Sequence, residues 1–122
     1  MWAIDITIPI QKAITYPDCV IRAITLALNL PYAETVKRLQ NNGDYYGCNL
    51  LNKECYEKLL DIDFNLPHYI SRNKTVEEVA KDFPDDILLI RMDGHLTTSI
   101  RGEIWDIWDC SSEIATEFWI VY

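Results

Sequence analysis

What this sequence lacks is informative first. It has no internal repeat and no low-complexity stretch. It has no surplus of basic residues: the formal net charge is −8. Nucleic-acid binding relies on Lys and Arg to neutralise phosphates, so a DNA or RNA partner is not expected. An anionic membrane surface is disfavoured for the same reason. No window approaches the roughly 18 consecutive apolar residues that a membrane helix needs. The start, Met1-Trp2-Ala3-Ile4-Asp5, carries no basic segment followed by an apolar run, which argues against a secretory leader and makes the cytoplasm the expected compartment. Histidine is scarce, with only His68 and His95, and no two cysteines are spaced as in a zinc knuckle. No metal or other cofactor is therefore expected. Cys19, Cys48, Cys55 and Cys110 are expected as free thiols, since nothing marks the chain for export.

What is present suits one globular domain over residues 1–122. Apolar residues make up 49% of the chain and charged residues 25%, an ordinary balance for a packed core. Residues 4–10 alternate apolar with polar, the period of a strand, and Pro9 restricts it to an edge. Pro17-Asp18 opens a helix, with Asp18 as N-cap to the first-turn amides. That helix, Cys19 to Leu28, is interrupted only by Arg22 and Thr25 and reads as buried. Asn29 and Pro31 end it. A second helix is expected from about Pro31 to Leu39, stopped by Asn41-Asn42-Gly43, and a third over Leu51–Leu60. Thr75-Val76-Glu77-Glu78 carries the capping-box pattern of a fourth, ending before Pro84.

The last third changes period. Strands are expected over Asp86–Met92, His95–Ile100, Glu103–Trp108 and Thr116–Tyr122. Helices followed by an antiparallel sheet define an α+β class, with the layers packed face to face.

Two segments carry candidate chemistry. Cys19 stands in the first turn of the buried helix, where aligned peptide dipoles favour a thiolate. The adjacent Asp18 opposes that ionisation. The bland alternative is a small buried hydrophobe, and it applies more strongly to Cys48, Cys55 and Cys110. His95 follows Asp93-Gly94, and a glycine there lets a backbone or substrate approach. His68 lies in a loop and reads as surface or packing.

Arg101-Gly102 reads as a two-residue hairpin turn. Ile100 then faces Glu103, His95 faces Trp108, and Asp106 faces Thr97. Side-chain alternation puts His95, Thr97, Ser99, Ile104, Asp106 and Trp108 on one face. Leu96, Ile100, Trp105 and Ile107 share the other, which reads as core. Asp106 is diagonal to His95 and within reach of its ring, so it can orient the imidazole. Asp109 is the rival acid, but reaches that face only if the strand ends or bulges.

The run Asp18-Cys19-Val20-Ile21-Arg22-Ala23-Ile24 resembles the nucleophile helix of small papain-like cysteine peptidase domains found in phage and bacterial genomes. Gly94-His95-Leu96-Thr97-Thr98-Ser99-Ile100-Arg101-Gly102-Glu103-Ile104-Trp105-Asp106-Ile107-Trp108-Asp109 resembles their His-Asp hairpin. Thr75 to Ala80 and Phe118 to Val121 also fit. The resemblance implies a papain-like fold, with a nucleophile helix packed on a C-terminal antiparallel sheet. It implies Cys19, His95 and Asp106 as a triad that cleaves peptide or isopeptide bonds through a thioester. The partner is then a peptide or protein substrate, and Tyr45, Tyr46 and Trp108 are candidates to line the cleft. Such enzymes often carry an oxyanion-stabilising glutamine before the cysteine. Ala13 occupies that position here, and Gln11 stands two residues earlier. The alternative is a papain-like fold that has lost catalysis and serves as a protein-binding module, its aromatics forming the interface.

Overall fold

A computed structural model of the chain describes residues 18–49, 51–106 and 108–121, together with the backbone of Trp2 and Ala3. The expected strand over 4–10, with Gln11 and Ala13, lies outside the described residues. The chain is α+β. Its strands form a six-stranded sheet, in the order β1-β5-β4-β3-β6-β2. These are β1 (Trp2–Ala3), β2 (His68–Ile70), β3 (Ile87–Met92), β4 (His95–Ile100), β5 (Glu103–Trp105) and β6 (Ala115–Ile120). All pairings are antiparallel except that of β1 with β5, so the sheet is mixed at one edge. The helices are α1 (Cys19–Leu28), α2 (Tyr32–Tyr46), α3 (Lys53–Lys58) and α4 (Val76–Asp82). A π-helical turn, Leu59–Asp63, continues α3. No helix among the described residues is long and apolar enough to cross a membrane.

The hairpin follows from its turn. Arg101 and Gly102 have φ of 51° and 82°, the doubly positive pair that matches the right-handed twist of two strands. Ile100 faces Glu103, Ser99 faces Ile104 and Thr98 faces Trp105, as the turn requires. The strand then stops at Trp105, short of the expected Trp108.

Both faces of the sheet are covered, so the hairpin face that carries Ile104 is packed as well as the one read as core. Leu89, Leu96 and Trp119 pack under α1, α2 and α3. Leu88, Ile90, Met92, Ile104 and Phe118 pack under α4. Alternation along β3 produces this split, because successive side chains leave opposite faces. Thr98 Oγ1 donates to the Ala23 carbonyl at 2.7 Å, tying α1 to β4.

Other boundaries moved as well. The second helix runs through Asn41-Asn42-Gly43 to Tyr46 and stops at Gly47, whose φ of 68° forms a left-handed cap. Asn42 is tolerated inside it because its side-chain amide donates to the Cys55 carbonyl at 2.8 Å. The third helix begins at Lys53 rather than Leu51. Strand β2 was not anticipated: three residues are too few to display a period, and their pairing with β6 is non-local. Cys48 and Cys55 are joined in a disulfide, not free as expected. Their Cα atoms are 5.7 Å apart, within bonding range, because the turn after α2 returns directly to α3.

Candidate active site

Cys19 is the first residue of α1, and its partner His95 is the first residue of β4. His95 pairs with Met92 at the end of the sheet, where α1 begins on one face. Its Nε2 donates to Asp106 Oδ2 at 2.6 Å. Its ring also hydrogen-bonds Cys19. With Nε2 committed to a carboxylate, Nδ1 is the nitrogen left for the thiol. The imidazole thus joins an acid on the α4 side of the sheet to a thiol on the α1 side.

The electrostatics favour an ion pair. Burial pushes the Cys19 thiol up. The hydrogen bond and charge of His95, the Leu96 backbone N–H and the Arg22 guanidinium pull it down by more, leaving it below the ordinary thiol value. Burial alone would lower the His95 imidazole. Its bonds to Asp106, Cys110 and Cys19 outweigh burial and raise it to about 11. A lowered thiol beside a raised imidazole favours the thiolate–imidazolium pair over the neutral pair.

Asp18 does not cap α1 with its side chain. Its carboxylate, 1% exposed, instead accepts from Arg22 Nη1 and from Tyr32 Oη, the latter at 2.7 Å. Arg22 offsets the charge that was expected to oppose a thiolate. The first-turn amides of α1, including that of Cys19, therefore have no side-chain acceptor among the described residues.

Asp106 prevails over Asp109. Asp106 is buried against His95, whereas Asp109 is exposed and accepts from Ser111 N at 3.1 Å and Ser111 Oγ at 2.5 Å. The Trp108 ring lies 5.0 Å from that of His95 and remains half-exposed. Tyr45 and Tyr46 do not line this site. They form an edge-on pair at the end of α2, beside a separate depression with Arg38 and Asp63. Gly94 does border the cleft, with φ of 74°. A Cβ there would meet no atom within 4 Å, so the glycine serves the turn rather than a close approach.

Sequence reasoning passed over Cys110. Its Sγ lies 3.6 Å from Asp106 Oδ2, the oxygen that also holds His95, and it is fully buried. The spacing Asp106 to Cys110 offers no signal of this by itself. His95, Asp106 and Cys110 bring one ligand atom each within 4.8 Å of one another, close enough to hold a metal ion, as do Glu57, His68 and Glu117. His68 is otherwise a packing residue. It stacks on Trp119 with centroids 4.2 Å apart, and its Nε2 meets Glu117 at 2.8 Å.

A cleft of about 330 Å³ opens beside Cys19 and His95. Its far wall comes from the start of α3, with Asn52, Lys53 and Tyr56, and from β3, with Arg91. Burial keeps the Tyr56 phenol well above its ordinary value, so it stays protonated.

No family model matches this chain, and comparisons with curated proteins and with solved structures find no match.

Proposed function

We propose that the chain is a papain-like thiol hydrolase of the cysteine peptidase or amidase type, acting through Cys19, His95 and Asp106. The observation that carries this reading is the continuous hydrogen-bonded path from Asp106 through His95 to Cys19, opening on a cleft.

The chemistry balances without a cofactor. The Cys19 thiolate adds to a substrate carbonyl, forming a C–S bond and a tetrahedral oxyanion. The Cys19 N–H at the start of α1, which has no side-chain acceptor among the described residues, is placed to stabilise that charge. The oxyanion collapses, the C–N bond breaks, and His95 gives its proton to the departing amine. Water then attacks the thioester, passing a proton to His95 and expelling the thiolate. Asp106 holds the ring so that Nδ1 faces the sulfur.

Iodoacetamide alkylation across pH 5 to 9, with the modified cysteine located by mass spectrometry, tests this. Cys19 is expected to react on an acid limb well below the roughly 8.5 of a free thiol. His95→Ala removes the largest downward pull but leaves the burial, so the rate at pH 6 should fall about tenfold for each unit the thiol regains. A Cys19 that alkylates no faster than the buried Cys110, or whose rate ignores His95→Ala, refutes the triad.

A further inference from the structure

The chain is acidic, yet the fixed charge on its cleft is of the opposite sign. Lys53 and Arg91 line the cavity beside Cys19 and His95, and among the described residues no aspartate or glutamate does. Each cation is held from behind. Lys53 Nζ lies 3.2 Å from Glu117 Oε2 and 3.7 Å from Glu57 Oε2. Arg91 Nη1 lies 3.5 Å from the same Glu117 oxygen and donates to Thr116 Oγ1 at 3.1 Å. Arg91 also hydrogen-bonds the Tyr56 phenol.

Glu117 is 4% exposed, and its other oxygen is occupied by His68. Glu57 faces a different depression, with Asp61 and Lys58. The carboxylates therefore anchor the cations without reaching the cleft. Glu117 serves both cations and Glu57 adds a longer contact to Lys53, so the positive charge facing the cleft comes from where the groups lie rather than from a local surplus. Side chains already ordered lose little entropy when they bind a ligand. Arginine suits a planar carboxylate through its forked donors, and lysine adds a point charge.

We propose that Lys53 and Arg91 form an anion subsite of the Cys19 cleft, selecting acyl substrates with a carboxylate next to the scissile carbonyl. That carboxylate is an acidic side chain or a chain terminus. This rests on the hydrolase reading for its reaction, but not for its binding. Lys53 and Arg91 are specificity residues and take no part in the bond changes.

Two alkylating agents that differ only in charge read the subsite. The rate of iodoacetate relative to iodoacetamide is measured at Cys19 and normalised to the same ratio for glutathione. His95 attracts iodoacetate too, but it is present in every variant compared. The normalised ratio is expected to exceed one, and to fall about threefold or more in Lys53→Met and in Arg91→Gln as the local field weakens. Added salt should reduce it in the wild type.

An independent arm uses Cys19→Ser protein, in which the thiol beside His95 is gone. Side-chain NMR signals of Arg91 are followed during titration with N-acetylglutamate α-amide and with N-acetylglycine. A saturable shift that Lys53→Met weakens supports the subsite, and the better ligand tells side chain from terminus. An unchanged ratio in both variants with no saturable shift overturns the subsite while leaving the hydrolase reading intact. A Cys19 inert to both reagents, with the shift still present, refutes the hydrolase and leaves an anion-binding cleft.

Discussion

Arg22 and Asp18 are four residues apart on a helix that otherwise reads as apolar, and both are almost fully buried. Their pairing has two consequences. It leaves the amides at the start of α1 to the site, and it places a guanidinium charge near the thiol. Removing one partner of a buried pair strands the other's charge, which costs about 3–5 kcal/mol. Arg22→Ala should therefore lower the urea midpoint sharply. The double variant Asp18→Leu with Arg22→Met should recover much of that loss, because it leaves no lone charge. If Arg22→Ala unfolds at the wild-type midpoint, the pair is not holding the helix in place. Alkaline solution acts at this scale as well. With its imidazole raised to about 11, His95 should keep its proton far into alkaline solution, so on the proposed reading the pH–rate profile should show an alkaline fall only as pH approaches that value. The thiol, lowered, sets the acid limb.

Among the elements, α4 and the β4–β5 hairpin were legible because their signals are local. Thr75 Oγ1 accepts from Glu78 N at 3.1 Å, and Glu78 Oε1 accepts from Thr75 N at 2.8 Å, the reciprocal cap that Thr-x-x-Glu encodes. Thr75→Ala should cost about 1 kcal/mol in equilibrium unfolding. Gly102→Ala should cost about 1–2 kcal/mol for a different reason, the left-handed backbone. The added methyl would meet Pro84 and Ala80 only at ordinary contact distances, 3.7 and 3.8 Å. A Gly102→Ala loss near zero would show that the turn relaxes. The end of α2 was not legible in the same way. Gly43 looks like a stop, but the contact that carries the helix past it comes from Cys55, thirteen residues from Asn42.

For the whole molecule, the disulfide between Cys48 and Cys55 closes the short turn that presents Leu51, Asn52 and Lys53 to the cleft. A loop this small restrains the unfolded chain by about 2 kcal/mol. Reduction should lower the unfolding midpoint accordingly, and Cys48→Ala should make the protein insensitive to reductant. Equal midpoints with and without reductant would mean that packing alone holds the turn. Trp119 shows why the two faces of the sheet cannot be read separately. It is fully buried under α1 to α3, stacks on His68 from edge strand β2, and donates from Nε1 to Asp61 at 2.7 Å. The π-helical turn at Leu59–Asp63 supplies that carboxylate.

The sequence by itself determined the α+β class, the capping box, the hairpin register at Arg101-Gly102, and the candidates Cys19, His95 and Asp106. Those rest on interactions between residues a few positions apart, where backbone geometry leaves few choices. Only the tertiary structure decided that Asp106 rather than Asp109 reaches His95: Asp106 is buried against the ring, while Asp109 is exposed and held by Ser111. Only it paired Cys48 with Cys55, turned Asp18 toward Arg22 and Tyr32, and gathered Lys53 and Arg91 around Glu117. Those contacts depend on how helices seat on a twisted sheet. That seating is settled by the burial of both faces together, which no local pattern encodes.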